Sequence, residues 1–140
     1  MLQVVRAGGR VGILPDQRVQ EREGILVPFF GQAALTTPVL ARLSIRDRCP
    51  VVPVFAYPEP GGRYRQVIRP PILPDEAADG DREAAVAALT RRYLEVIERE
   101  IRDHPEMWLW MHRRWDRKPR HSPERQEAQE ARDRGGLDSA

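Results

Sequence analysis

The stretch PVVPVFAYPEPGGRYRQVI, Pro50 to Ile68, decides the architecture. Its first half gathers Val51, Val52, Val54, Phe55 and Tyr57, whose branched or aromatic side chains suit a pleated surface. Gly61-Gly62 supplies a turn and Tyr64 to Ile68 returns as a second strand, so the stretch predicts a β-hairpin. Pro50 disfavours helical geometry at Cys49, which separates the hairpin from what precedes it.

Towards the N-terminus, Thr37 reads as a helix cap and Pro38 as the first helical residue. Val39, Leu40, Leu43 and Ile45 then carry the apolar face of a short helix ending near Arg46 to Arg48. Gly24 to Phe30 is an apolar run. Val11 to Leu14 is another, broken only by Gly12 and bounded by glycine and proline, and it reads as a buried strand. Met1 to Ala7 reads as the end of a helix closed by Gly8-Gly9. Towards the C-terminus, Asp79 or Asp81 caps the longest helix, Arg82 to Asp103. Its Val86, Leu89, Tyr93, Val96, Ile97 and Ile101 form one core-facing stripe. Strand, helix, strand and hairpin in that order predict an α/β fold, a partly parallel sheet flanked by helices. These elements form one domain over residues 1–115. Residues 116–140 hold almost no large apolar side chain and are expected to be a solvated, disordered tail.

A chain of 140 residues has one ordinary core. Its 23 basic and 21 acidic residues interleave, as in Glu98-Arg99-Glu100, and no helix carries a one-sided basic stripe, so nucleic acid is not an expected partner. Lys118 is the only lysine. Arginine suits carboxylates and phosphates better than lysine does, although a coding sequence rich in G and C gives the same bias. Cys49 stands alone, which excludes a disulfide framework or a cysteine metal site. No histidine spacing resembles a zinc site and no glycine-rich loop has phosphate-loop spacing, so neither metal nor cofactor is expected. No window approaches the ~18 apolar residues of a spanning helix. Work at a membrane then means surface contact or an anchor outside this sequence.

Three places carry candidate chemistry. At Pro15-Asp16-Gln17 a carboxylate follows an apolar run; beyond the carboxyl end of a strand it faces the ligand crevice of an open α/β sheet, and it is equally ordinary turn chemistry. Adjacent Phe29 and Phe30 point to opposite faces of a strand, so one of them needs cover from a second protein layer or from an acyl chain. In Met107 to Trp115 the three tryptophans cannot share one helical face. Tryptophan beside Arg113 and Arg114 suits a boundary between apolar matter and phosphates, and also a segment plugged into the core with arginines reaching outward. His104 complements a helix C-terminus. His112, next to two arginines, is a poor proton acceptor for catalysis.

In order, Gly12 to Gln17, the run ending Pro28-Phe29-Phe30-Gly31, Pro50 to Val54, and His104-Pro105-Glu106-Met107-Trp108-Leu109-Trp110-Met111-His112-Arg113-Arg114-Trp115 resemble the late acyltransferases of lipid A biosynthesis, within the glycerolipid acyltransferase superfamily. The resemblance covers about Met1 to Pro119. It implies the C-terminal portion of a glycerolipid-acyltransferase-like fold, an acyl carrier protein thioester (or other acyl thioester) donor, a membrane glycolipid acceptor, and peripheral contact at the cytoplasmic face of the inner membrane. It implies a histidine, with a carboxylate five residues on, as general base. That motif is absent here, since Leu109, Arg117 and Gln126 stand five residues after His104, His112 and His121. In the family it precedes the Pro-Asp-Gln region, together with the membrane anchor, so the chain is expected to be a C-terminal fragment, inactive alone. On this reading Asp16 is the supporting acid, and Gln17, Phe29, Phe30, Pro53, Arg113 and Arg114 contact substrate. The competing expectation is a non-catalytic module binding acyl carrier protein or membrane phosphates.

Overall fold

The hairpin that opened the sequence reading is present: β3 (Val54–Glu59) and β4 (Arg63–Ile68) pair antiparallel, from Val54 opposite Ile68 to Glu59 opposite Arg63. Gly61 and Gly62 turn the chain at φ 79° and 72°, a region closed to most side chains. The computed structural model describes residues 2–74 and 81–115. Its other elements are α1 (Leu2–Arg6), β1 (Ile25–Phe29), β2 (Gln32–Thr36), α2 (Val39–Asp47) and α3 (Arg82–Asp103), with 3-10 turns at Glu21–Glu23 and Pro105–Met107.

The apolar run at Gly24 becomes half of a second hairpin. β1 and β2 pair antiparallel with Phe29 opposite Gln32, leaving Phe30-Gly31 as a two-residue turn. Both residues have positive φ, 51° and 76°, as a type I′ turn requires. A phenylalanine there costs about 1 kcal/mol of backbone strain. The surroundings hold it: Glu98 accepts the Phe30 N–H at 2.9 Å, and the Arg102 guanidinium lies 4.9 Å from the ring centre.

The partly parallel sheet is corrected. Helices and strands do mix, but the described strands form two separate antiparallel pairs, because each short turn returns the chain beside the strand it has just left. Nor is Val11 to Leu14 a strand; it belongs to no ladder, and Leu14 is 72% exposed.

α3 runs as expected. The Asp81 carboxylate accepts from the N–H groups of Glu83 and Ala84 and so caps two otherwise orphaned donors. Its apolar face, which also includes Leu94 from outside the expected stripe, divides between two cores. Leu94 and Ile101 pack with Val27, Phe29 and Ala34 of the first hairpin. Val86, Leu89 and Tyr93 pack with Ala41 of α2 and with Ile72. Ile72 exchanges two backbone hydrogen bonds with Val51, at 2.9 and 2.8 Å, which fastens the chain after β4 beside the chain before β3. The residues called a tail, 116–140, lie outside the described residues, as do Asp79 and His121.

Beyond Met107 the chain leaves helical geometry and proceeds by turns. That is how tryptophans with no common helical face converge: Trp108 and Trp115 both sit 5.7 Å from Phe29, ring centre to ring centre. Trp115 also donates its Nε1–H to the Phe29 carbonyl at 3.1 Å. Trp110 stays 62% exposed.

Candidate functional site

Asp16 stands in the turn after Pro15, half-buried, on the wall of a hollow of about 1170 Å³. One side of that hollow is the chain from Arg10 to Asp16 and another runs from Pro50 through Tyr57; α2 contributes Leu40 and Leu43, and α3 contributes Ile97 and Ile101. The lining is mainly apolar, with a few polar groups among it, as in ligand sites generally.

Those polar groups include four that sequence reasoning did not assign to a site: Tyr57, Tyr93, Glu100 and His104. Glu100 is buried and takes Arg69 in a fork, with Nε at 3.1 Å and Nη2 at 2.8 Å. Burial pushes its carboxyl above the ordinary range, with the charge of His104 pulling the other way. The His104 ring meets Tyr57 edge-on at 4.8 Å, and its Nδ1 lies 3.4 Å from Glu106. The hydroxyls of Tyr57 and Tyr93 are buried without a hydrogen-bond partner among the described residues. Burial drives the Tyr93 phenol up to about 12, and the neighbouring Ser44 hydroxyl, which donates to the Cys49 carbonyl at 2.6 Å, offsets this only in part. Glu100 lies in the last turn of α3 and His104 caps it, donating its backbone N–H to the Glu100 carbonyl at 2.9 Å.

Arg114 is fully buried. Its Nη1 donates to the Leu35 carbonyl and its Nη2 to Thr36 Oγ1, each at 2.6 Å, and its guanidinium carbon lies 5.1 Å from the centre of the Phe29 ring. Nε has no partner among the described residues. Burial lowers the guanidinium to about 10, opposed by the charge of Asp16. The last described turn is thereby tied to hairpin β1–β2, with Asp16 in its electrostatic reach.

The predicted site residues divide. Asp16 and Pro53 border the hollow. Gln17 is exposed, and it lies off the hollow's lining. Phe29 is a core residue with no exposed surface, and Phe30 sits half-buried in its turn; neither borders the hollow, whose apolar wall comes from α2, α3 and the approach to β3. Arg113 is exposed beside buried Arg114.

Residues 1–117 match the bacterial lipid A biosynthesis acyltransferases, and the chain belongs to that family. Over 131 residues it is 33% identical to the lipid A biosynthesis lauroyltransferase of Escherichia coli strain K12. That match takes in 89% of this chain and 40% of the E. coli protein, so well over half of the relative has no counterpart here.

Proposed function

We propose that the chain supplies one part of an acyltransferase site that moves a fatty acyl group from an acyl carrier protein thioester to a hydroxyl of a lipid A-type glycolipid. It is inactive without the part that carries the general base. The carrying observation is Asp16 on the wall of an apolar hollow, in a chain of this family. In the reaction the acceptor oxygen attacks the thioester carbonyl; the new C–O bond forms as the C–S bond breaks. The proton passes through an imidazole, encoded outside these residues, to the departing thiolate. Asp16 is the supporting acid beside that imidazole.

Pro53 shapes the wall of the hollow that Asp16 also borders, and Gln17, exposed beside Asp16, meets the acceptor head group. Phe29, Phe30 and Arg114 support the site from behind, and Arg113 faces the acceptor's anionic groups. A lipid acceptor calls for peripheral contact at the cytoplasmic face of the inner membrane. Among the described residues no helix is long and apolar enough to cross a membrane.

The test is transfer of radiolabelled acyl groups from acyl carrier protein to a lipid A precursor. The assay uses the chain alone and the chain joined to the portion of the E. coli lauroyltransferase that it lacks. Transfer is expected only from the joined protein, and Asp16→Asn is expected to lower it by roughly 100-fold, the scale of an acid–base contribution. Transfer by the isolated chain at the rate of the joined protein would refute inactivity, and full activity of Asp16→Asn would refute the role of the carboxylate.

A further inference from the structure

We propose that the turn from Leu109 to His112 is a membrane-entry point: its apolar tip sinks into an anionic lipid surface, and the basic run that follows it meets the lipid phosphates. The inference rests on the peripheral contact proposed above and names the part of the chain that makes it. It needs none of the chemistry assigned to Asp16.

The His112 N–H donates to the Leu109 carbonyl at 3.0 Å, which closes a tight turn with Trp110 and Met111 at its two central positions. Those positions ordinarily go to glycine, proline, asparagine, aspartate or serine. Here three consecutive large apolar side chains stand outside, with Leu109 65% exposed, Trp110 62% and Met111 87%. Single exposed apolar residues are ordinary, whereas a contiguous set marks an interaction site. The tip is also firmly held. Trp108 before it and Trp115 after it pack on Phe29, and Arg114 is fixed to Leu35 and Thr36. The donors of Trp110 are already used: its Nε1–H goes to the Pro105 carbonyl at 2.7 Å and its backbone N–H to the Trp108 carbonyl at 2.9 Å. The tip therefore enters an apolar medium without stranding those groups.

Charge selects the occupant. Over the whole chain 23 bases nearly balance 21 acids, yet the run from Arg113 to Arg120 holds Arg113, Arg114, Arg117, Lys118 and Arg120 against Asp116 alone. Arg114 is buried and engaged, and Arg113 is exposed. Apolar groups that enter the lipid boundary, with bases beside them, are the combination that holds peripheral proteins on anionic bilayers. Tryptophan is favoured at that depth. An acidic protein surface answers the bases and leaves the three apolar side chains in water, whereas a bilayer answers both. Met107 and Trp108, just before the turn, border the hollow, so a membrane that takes the tip lies close to it.

The experiment is co-sedimentation of the full chain with vesicles of phosphatidylcholine alone and of phosphatidylcholine with phosphatidylglycerol. Tryptophan quenching by lipids brominated near the top of the acyl chain is read in parallel. Neither vesicle holds a lipid A precursor, so acceptor binding does not enter the result. Expected is partition about tenfold or more stronger into the anionic vesicles, with quenching that Trp110→Phe largely removes. Leu109→Ser combined with Met111→Ser, at two exposed positions, is expected to lower partition about tenfold or more while the urea midpoint stays where it was. Arg117→Glu combined with Lys118→Glu is expected to lower it by a similar factor. No association with anionic vesicles overturns the proposal. So does partition unaltered by the two serines, which leaves a charged patch without an inserted tip, and so does quenching unaltered by Trp110→Phe. Acyl carrier protein bound without lipid and lost on the same serine changes, with vesicles left unbound, identifies a protein partner instead. In the chain joined to the unmatched portion of the E. coli lauroyltransferase, loss of the Trp110 share of the quenching shows that portion covering the tip, which also overturns the proposal. A joined protein that is quenched but transfers no acyl group leaves this proposal standing and counts against the catalytic reading alone.

Discussion

Replacing Arg114 tests whether a buried charge holds the C-terminal turns on the first hairpin. Its two hydrogen bonds, both 2.6 Å and both from a charged donor, are worth about 4 kcal/mol together. The contact with the Phe29 ring at 5.1 Å adds about 1 kcal/mol. Against this, a guanidinium lowered to about 10 carries a burial cost on the order of 3 kcal/mol. The interactions win by about 2 kcal/mol, and Arg114→Ala adds roughly 1 kcal/mol for the void it leaves. Urea unfolding followed by tryptophan fluorescence reads this directly, because Trp108 and Trp115 both pack on Phe29. With a slope near 1.5 kcal/mol per molar, the midpoint falls by roughly 2 M. Arg114→Met separates the terms: like alanine it relieves the burial cost and strips Leu35 and Thr36 of their donor, but it keeps volume, so a loss of about 2 kcal/mol remains. A methionine variant more stable than the parent, or an alanine variant within about 0.5 kcal/mol of it, would show that desolvation outweighs the contacts and that the reasoning is wrong.

Asp81→Ala removes the acceptor for two N–H groups of α3 and should cost about 1 kcal/mol in the same titration; an unchanged midpoint counts against the cap. Trp115→Phe keeps the ring stacked on Phe29 but loses the bond to its carbonyl, for a loss of about 1 kcal/mol. Tyr93→Phe removes a buried hydroxyl with no partner and should be neutral or slightly stabilising near neutral pH. It should also change the alkaline limb of stability. The folded phenol keeps its proton up to about 12 while the unfolded one releases it near 10, so the folded state binds more protons between those values and stability falls as pH rises. Unfolding free energies of parent and Tyr93→Phe should therefore diverge from pH 10 upward, the variant falling less steeply, and parallel curves would refute the burial of that group.

Much of the fold was legible where local chemistry and long-range packing agree. The β3–β4 hairpin declared itself through valines and aromatics on either side of Gly61-Gly62, and α3 through a six-residue apolar stripe with Asp81 before it. β2 was missed because its turn is disguised. A two-residue hairpin turn is recognised by asparagine or aspartate before glycine, and here Phe30 holds that place under strain, kept there by Glu98, 68 residues away, and by Arg102 of the same helix. Val11 to Leu14 failed for a different reason. Composition states that a segment can be a strand, while a strand exists only when another backbone pairs with it.

The site was legible by type more than by arrangement. Asp16 and Pro53 were chosen from the sequence and do border one hollow, but Phe29, equally conspicuous as an aromatic, is buried in the core beneath Trp108 and Trp115. Nothing local distinguishes a ring that walls a cleft from a ring that anchors a helix. What distinguishes them is Arg114, which a contact between residues 79 apart brings over the same phenylalanine. That contact also settles why two adjacent arginines behave differently: one turn of backbone points Arg113 outward and Arg114 into the layer where β2 presents a carbonyl and a hydroxyl to receive it. Because the same guanidinium lies within the field of Asp16, an alteration at position 114 that preserves the fold should still be felt at the Pro15-Asp16 corner. The charge-keeping Arg114→Lys should disturb the Asp16 carboxyl resonance less than Arg114→Met does. The reverse order would separate the C-terminal clamp from the site altogether.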